Sequence, residues 1–451
     1  MLVALGHPRP EGAETPPMGG GKPTWVIVPA SAPVKAGEGV LSFGDVKMRV
    51  EPHAEWAQMY HEVWRIERAF FYDPNFHGTN TVADEKKYEP YVESIASRAD
   101  LNYIFQEMLS AFSVGHLRGN GGQIPDAKKV PGGLLGADYE TKNNRYCIAK
   151  IYTGGEFNPR EKAPLAQPGL NVKVGDCILA INGQELTADM DIQQPLEGTA
   201  GKVISVRIQG ADGKPRDISV TPVGSELAMR NVDWIEGNQK KVDRLSGGKL
   251  AYVYLPDTGE GGFTNFNRYY FAQTDKQGAI IDERFNGGGQ VADYFIEVLG
   301  RHIESYWAPR YGKIEHTPNA GVYGPKVMIA NEFSGSGGDA LPWLFKQAKL
   351  GSLVGKRTWG GLVGISAIPV LMDGGHVTSP SVAFFSPKGE WDVENHGVDP
   401  DYVVEQDPKA VSEGHDPQLE KAVALALEGL AKEPKTEVQR PAYPNYHNGR
   451  D

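Results

Sequence analysis

Residues 331–342 bring serine and glycine together in the order N-E-F-S-G-S-G-G-D-A-L-P. They follow an apolar run, residues 327–330, that is typical of a buried strand, and they precede a helical pattern over residues 340–348. Small residues at such a turn would let the Ser336 hydroxyl stand clear, and the first N–H groups of the helix could face developing negative charge. The pattern indicates a nucleophilic serine, although a glycine- and serine-rich turn after a strand is more often only a turn.

Three other segments could supply the remaining chemistry. They are Gly115-His116, residues 282–289 (D-E-R-F-N-G-G-G) and residues 391–401 (W-D-V-E-N-H-G-V-D-P-D). A serine hydroxyl needs a base near neutral pH, and imidazole titrates there, so His116 and His396 are the candidates. Simpler interpretations remain: His116 could cap a helix end, and the glycine turn could bind phosphate, although it lacks the spacing of a P-loop.

The surrounding elements must position these segments. Apolar residues recur at helical spacing from Pro52 to Phe70, and a second helix is predicted from Asp100 to Phe112, just before His116. Strands are predicted over residues 25–29, 41–50, 250–256, 278–282 and 326–330, and helices near residues 263–273, 291–299 and 417–430. The alternation of strands and helices beyond residue 230 indicates an α/β domain.

Composition limits the classes of function. The 451 residues predict several domains, and 40% apolar with 23% charged residues is ordinary for a globular protein. A formal net charge of -11 argues against a nucleic-acid surface. No apolar run reaches membrane length, and the first residues lack the pattern of a signal peptide. We therefore expect no nucleic acid and no membrane partner, and a cytoplasmic location unless an upstream targeting segment is missing.

Cys147 and Cys177 are the two cysteines of the chain, and each lies in a strand-like run. Free Cys is among the most buried residue types. We expect two buried free thiols, with no metal site and no cofactor.

Residues 169–183, G-L-N-V-K-V-G-D-C-I-L-A-I-N-G, resemble the PDZ fold, whose members carry a G-D-x-I-L-x-I-N-G segment ending in an Asn-Gly turn. The resemblance implies that a peptide binds as an added strand, with its terminal carboxylate held by backbone amides. The loop Leu134-Leu135-Gly136 is the candidate for those amides. A PDZ module that only spaces or gates the other parts is the alternative.

The four chemical segments, with the PDZ-like insert between the first and the others, resemble the carboxyl-terminal processing peptidases. They resemble the tricorn-type proteases more closely still, in the half of the chain that carries the active site, over residues 43–430. The resemblance implies that Ser336 is the nucleophile, His116 its base and Glu394 the acidic partner. It implies an oxyanion hole formed by the amides of Gly337, Gly287 and Gly288.

Two positions indicate which residue is the catalytic base and how its acidic partner reaches it. The processing branch pairs its serine with a lysine in a T-x-G-K-G segment, whereas Gly361 stands at the lysine position in T-W-G-G-L here. Histidine is therefore the predicted base. Tricorn-type proteases also carry a serine before the histidine, where this chain has Gly115, so Glu394 is expected to act directly, through water, or through Ser113 or Ser110.

The resemblance implies an α/β multidomain protein. The expected parts are an N-terminal extension (residues 1–42), a small helical subdomain with the histidine (43–130), an inserted PDZ-like β domain (131–225), an α/β crotonase-like catalytic domain with the serine (226–430) and a C-terminal tail (431–451).

The implied function is a serine endopeptidase that cleaves short or unfolded polypeptides through an acyl-enzyme. The rivals are a catalytically silent PDZ peptide-binding scaffold and an esterase or amidase for small substrates. Full-length members of the family carry β-propeller domains and assemble into rings, commonly hexamers. No propeller repeat is recognised in this sequence. We therefore expect that the chain is either the C-terminal part of a longer protein or works without propeller domains. A homo-oligomer is the expected assembly.

Overall fold

The structure is a computed structural model that describes residues 2–5, 24–29, 37–43, 46–125, 127–154, 163–366, 368–432 and 438–447. The chain divides into two compact units, Met1–Gln58 and Met59–Asp451. In the first unit, β1 (Leu2–Leu5) pairs antiparallel with β2 (Thr24–Ile27), which confirms the strand predicted near residues 25–29.

The strand predicted over residues 41–50 is wrong for the described residues of that range, 41–43 and 46–50. Alternating apolar residues make a strand only where a partner supplies hydrogen bonds. Residues 44 and 45, much of the expected extension over 1–42, and residues 433–437 and 448–451 of the expected tail lie outside the described residues.

Three helices precede the predicted base: α1 (Pro52–Phe70), α2 (Thr81–Val92) and α3 (Arg98–Leu109). The helix predicted from Pro52 is confirmed, and α3 begins two residues before its predicted start and ends in a 3-10 turn, Ser110–Phe112. Helix α2 was not predicted, because its apolar residues do not form a clear stripe. Its one sequence signal is Asn80, whose side chain accepts the N–H of Ala83.

The PDZ-like part is one antiparallel sheet. It follows a short strand β3 (Gly119–Asn120) and contains β4 (Ala137–Lys142), β5 (Arg145–Ile151), β6 (Cys177–Ile181), β7 (Gln184–Glu185), β8 (Ile204–Gln209) and β9 (Pro215–Val220). The strand order is β4-β5-β6-β8-β9, with β7 paired to β6, so β4 is an edge strand.

Cys147 and Cys177 form a disulfide between β5 and β6. The prediction of two free thiols is therefore wrong. The sequence could not show the pairing, because it depends on the register that sets the two residues directly opposite each other in adjacent strands.

The α/β part follows the PDZ-like sheet. Its elements are α4 (Leu227–Ser246), β10 (Leu250–Tyr254), α5 (Glu260–Phe271), β11 (Gly278–Asp282), α6 (Ala292–Leu299), β12 (Ser305–Trp307), β13 (Glu315–Thr317), β14 (Lys326–Ala330), α7 (Gly337–Gln347), β15 (Gly351–Gly355), β16 (Gly364–Ile365), β17 (His376–Val377), β18 (Pro380–Val382), β19 (Tyr402–Val403), α8 (Pro408–Ser412) and α9 (Pro417–Lys432). The strands predicted over residues 278–282 and 326–330 are confirmed at their exact bounds as β11 and β14.

Five parallel strands form the central sheet in the order β10-β11-β14-β15-β19. Alternate residues of each strand face opposite layers. One layer packs Phe266 of α5, Phe295 of α6 and Leu341 of α7 against the sheet. The other packs Ile235 of α4 and Leu419 of α9. The near-continuous apolar strands reflect burial on both faces.

The carboxyl ends of β11 and β14 lie side by side because the two strands are parallel neighbours. The turn over residues 283–289 therefore meets the turn over residues 331–336. The N–H of Gly335 donates to the carbonyl of Asn286 at 3.0 Å. The sheet thus brings together two segments that are about fifty residues apart in sequence, at the edge where open α/β sheets commonly bind ligands.

Candidate active site

Ser336 lies between β14 and α7 with φ 57° and ψ −116°. A non-glycine residue in this conformation is strained, and such strain clusters at functional sites. The carboxylate of Asp339 accepts the N–H of Ser336 at 2.8 Å and so holds the strained turn from within the first turn of the helix.

Asp339 also holds the loop that carries the Trp359 ring. Its fully buried carboxylate accepts the N–H groups of Gly360 at 2.8 Å and Gly361 at 3.2 Å, as well as the hydroxyl of Thr358. Burial raises the pKa of Asp339, and these hydrogen bonds offset part of that rise. The sequence analysis missed this residue. The S-x-x-D spacing from Ser336 to Asp339 was the available signal.

His116 lies in a turn after α3, with φ 63°. The hydroxyl of Thr378 donates to its carbonyl, and its ring packs beside that of Trp359, with 5.3 Å between centroids. Burial lowers the pKa of His116, Glu394 raises it in part, and Arg118 lowers it further. The imidazole is therefore neutral near pH 7, as a general base must be.

Glu394 touches backbone rather than the imidazole. Its carboxylate accepts the N–H groups of Gly115 at 2.6 Å, Leu362 at 2.6 Å and Val363 at 2.8 Å. Within the described ranges, Nδ1 of His116 is buried without a hydrogen-bond partner. The Ser110 hydroxyl donates to Glu107 in its own helix, which does not support the expected bridge through that residue. Glu394 thus contacts the main chain of the His116 turn, and its charge raises the pKa of the imidazole.

One cavity of about 290 Å³ joins the Ser336 turn to His116. It is lined by His116, Arg118, Asn286, Gly287, Glu332, Phe333, Gly335, Ser336 and Trp359. No hydrogen bond links Ser336 to His116 in the part of the chain that the structure describes. Catalytic hydrogen bonds of free enzymes are often long and tighten when substrate binds.

Two exposed aromatic rings border this cavity. Phe333 lines it and stacks on Phe285, with 5.6 Å between centroids. The side-chain oxygen of Asn331 accepts the N–H groups of both residues, at 3.2 and 3.0 Å. Phe285 has φ 65°, an unusual conformation for a bulky residue. Asn331 thus fixes the backbone of both aromatic residues.

Comparison with known proteins gives three domain matches. Residues 52–110 match the Tricorn protease C1 domain, residues 133–225 the Tricorn protease PDZ domain, and residues 249–404 peptidase family S41. The chain belongs to the tricorn-type serine proteases. Its match to the tricorn protease of Thermoplasma volcanium has 34% identity over 84% of this chain and 37% of that protein. Tricorn protease homolog 1 of Streptomyces coelicolor matches with 34% identity over 87% of this chain and 37% of its own.

The fold comparison agrees with the tricorn assignment. A crystal structure of the tricorn protease superposes with a TM-score of 0.82 and 32% identity, over 87% of this chain and 38% of the other. The chain therefore spans little more than a third of these relatives.

The three expected oxyanion donors differ in their hydrogen bonding, and their role stays a prediction. The N–H of Gly287 donates to the Pro256 carbonyl at 2.9 Å, and the N–H of Gly288 donates to the Asn286 side chain at 2.9 Å. Both amides are thus already hydrogen-bonded, that of Gly287 to the segment after β10 and that of Gly288 within its own turn. Gly337 starts α7, where N–H groups lack helical partners, and its amide has no acceptor within the described ranges.

A lysine base of the processing type is sterically excluded. A Cβ built on Gly361 would lie 2.2 Å from the Trp359 ring, so that ring fills the space a side chain would need. Lys356 instead pairs with Glu405. His396, the other candidate base, pairs with Asp399 at 2.7 Å on the surface.

Arg284 binds Asp282 and Asp416 in the interior and so holds the turn that follows β11. Within the described ranges, no group of three or more His, Cys, Asp or Glu residues could hold a metal ion. The same ranges contain no helix that is both long and apolar enough to cross a membrane.

The PDZ loop differs from its expected role. The N–H of Leu134 donates to the Val223 carbonyl at 2.8 Å, and the N–H of Gly136 donates to the Glu226 carboxylate at 2.6 Å. The side chain of Leu135 is buried in the PDZ core. The amides of Leu134 and Gly136 thus already donate to residues that are distant in sequence, and the assignment of this loop to peptide binding stays a prediction.

Proposed function

We propose that the chain is a serine endopeptidase that cleaves short or unfolded polypeptides, with Ser336 as nucleophile and His116 as general base. The observation that carries this proposal is the single cavity lined by both residues, with Ser336 in a strained turn at the start of α7. The aromatic rim of Phe333 and Phe285 suits a peptide with apolar side chains.

The chemistry follows from the protonation state of His116. Because its burial favours neutral imidazole, the ring can accept the Ser336 proton as the hydroxyl attacks the peptide carbonyl. The imidazolium then returns the proton to the leaving amine, and an acyl-enzyme remains on Ser336. Water, deprotonated by the same imidazole, hydrolyses the ester and releases the second product.

The tetrahedral oxyanion requires donors that are fixed in advance. The amide of Gly337 is the proposed donor, since it lies at the positive end of α7 and has no competing acceptor in the described ranges. A Cβ at this position would lie 1.9 Å from the Thr258 hydroxyl, so only glycine allows this close packing. Loss of such a donor costs about 3 to 4 kcal/mol of transition-state stabilisation.

The test combines a fluorophosphonate probe with quenched fluorogenic peptides. The fluorophosphonate probe should label the wild-type chain at one site, and this chain should cleave the peptides. Ser336→Ala should lose both properties. Ser412→Ala, on the short surface helix α8, is the matched control and should keep both. Labelling that persists unchanged in Ser336→Ala would overturn the assignment.

The same assay addresses the rival functions. Binding of peptides by calorimetry without turnover or labelling would favour a silent PDZ scaffold. Faster turnover of an ester than of a peptide with the same acyl group is general for serine enzymes, so only a complete lack of peptide turnover would favour an esterase.

We also propose a homo-oligomeric assembly, a cytoplasmic location and the five-part domain division. The homo-oligomer implied by the family can be tested by light scattering on the full chain, and the five-part domain division by limited proteolysis. The expected cytoplasmic location must be reconciled with the Cys147–Cys177 disulfide, since disulfides persist mainly in oxidising compartments. Alkylation of thiols at the moment of cell lysis would show whether the pair is oxidised in the cell.

A further inference from the structure

An internal carboxylate occupies the PDZ loop. Glu226 precedes α4, and its Oε1 accepts the N–H of Gly136 at 2.6 Å. Residues 134–136 are the loop that the PDZ resemblance led us to expect as the site of a ligand carboxylate. The Glu226 side chain is only 8% exposed, so it is enclosed at that position rather than resting on the surface.

A network of charged groups fixes this carboxylate. Arg230, one turn along α4, binds its second oxygen at 2.6 Å and Asp138 at 2.8 Å. Tyr152 donates to Asp138 at 2.6 Å, and the guanidinium lies 4.2 Å from the centroid of its ring. Two carboxylates thus share one guanidinium.

A groove nevertheless runs beside the loop. A cavity of about 480 Å³ is lined by Leu134, Leu135, Ala137, Asp138, Tyr139, Tyr146, Gln193, Leu196, Glu226 and Arg230. Part of this lining is β4, the edge strand of the sheet, which pairs with β5 on one side only. An edge strand offers N–H and C=O groups to an added extended peptide.

We propose that this groove binds an internal segment of an extended polypeptide and not a chain terminus, because Glu226 takes the place of the terminal carboxylate. A ligand carboxylate would have to displace a buried, salt-bridged Glu226 or lie beside it, and either arrangement is unfavourable. Main-chain pairing with β4 needs no terminus. The proposal deepens the proposed peptidase function, on which it rests for the choice of polypeptide as partner.

The test uses the full chain with Ser336→Ala, so that binding is measured without cleavage. Overlapping casein decamers are prepared in matched pairs, as free acids and as amides, and binding is followed by fluorescence anisotropy. We expect the two forms of each bound decamer to agree within about threefold. A preference of roughly tenfold or more for the free acids would overturn the proposal, since a charged hydrogen bond is worth at least that factor.

Glu226→Ala tests the cause of the missing preference. Removing this carboxylate should open the Gly136 amide and create a preference of roughly tenfold for free acids. Equal binding of both forms by Glu226→Ala would contradict the assigned role. Circular dichroism would show whether this variant folds. If it does not, Glu226→Gln, which keeps an oxygen for the amide, should still show a shift toward free acids from the loss of charge, and no shift would count against the proposal.

The bound segment can be located with a photo-crosslinking residue at Gln193, which lines the groove. The control is a chain that carries the photo-crosslinking residue at Lys214 instead, between β8 and β9. Crosslinks to casein decamers at Gln193 alone would support the groove, whereas equal crosslinking at both sites or none at Gln193 would overturn it. Because catalysis is assayed separately on the wild-type chain, failure here leaves the peptidase proposal intact.

Discussion

The carboxylate of Glu394 accepts the backbone N–H of Gly115 at 2.6 Å. The tricorn resemblance led us to expect a serine at this position, whereas here the main chain itself binds Glu394. A Cβ on Gly115 would approach the Gly361 Cα to 3.0 Å and Glu394 Oε1 to 3.3 Å, so the turn is packed tightly around the glycine. Glu394 thus fixes the backbone next to His116, the proposed base.

Glu394→Gln should therefore change both the rate and its pH dependence. Because the Glu394 charge raises the pKa of His116, its removal should lower that pKa and move the acid limb of kcat/KM to lower pH. Loss of the charged hydrogen bonds should reduce kcat by about tenfold to a hundredfold. The measurement is a pH–rate profile with a fluorogenic peptide. Glu390→Gln, an exposed neighbour, is the control, and an unmoved acid limb would contradict this role.

Gly361→Ala should destabilise the chain through the Trp359 ring. The new Cβ would overlap that ring, and overpacking costs about 1 to 3 kcal/mol. In a Trp359→Ala background the same change should cost less than about 1 kcal/mol. Urea unfolding of the four proteins measures the coupling. Gly364→Ala, whose Cβ would meet only an ordinary contact at 3.5 Å, is the control. Equal costs in both backgrounds would show that the ring does not exclude a side chain.

Glu67 should make stability fall as pH rises. Burial raises its pKa to about 8 from 4.5, and the Ser379 hydroxyl offsets only part of that rise. Between pH 4.5 and pH 8, Glu67 is ionised in the unfolded chain but still protonated in the folded chain, so a rise in pH favours unfolding. The loss of stability is complete above pH 8. Glu67→Gln should match wild type near pH 4 and exceed it by up to roughly 5 kcal/mol at pH 8.5.

Urea unfolding of Glu67→Gln and wild type at pH 5 and 8.5 measures this difference. Glu107→Gln on the exposed face of α3 is the control and should show no such trend. A difference between Glu67→Gln and wild type that does not grow with pH would mean that Glu67 ionises normally in the folded chain.

The Cys147–Cys177 disulfide should stabilise the PDZ-like sheet. It closes a loop between residues 30 positions apart, which in the chain-entropy model is worth about 3 to 4 kcal/mol. Reductant should therefore lower the guanidinium midpoint of the wild-type chain, and Cys147→Ala/Cys177→Ala should not respond to it. A wild-type midpoint that ignores reductant would indicate that the pair contributes little.

Much of this protein could be predicted from local sequence. The apolar period of α1 and the continuous apolar runs of β11 and β14 predicted those elements at their bounds, because burial on one stripe or on both faces leaves a direct trace in residue type. The order of the chemical motifs indicated the family, and the glycine at position 361 indicated histidine chemistry. Helix α2 was missed because its apolar residues leave no such stripe.

Only the tertiary structure decided which polar groups are already occupied. Nothing in the sequence marks the amides of Gly287 and Gly136 as occupied, but they donate to Pro256 and Glu226, whose positions depend on the fold. Strand register decided the disulfide, and the meeting of distant loops made Asp339 the link between the nucleophile turn and the Trp359 loop. Sequence thus determined the reactive residue types, whereas long-range hydrogen bonds determined which of them remain available.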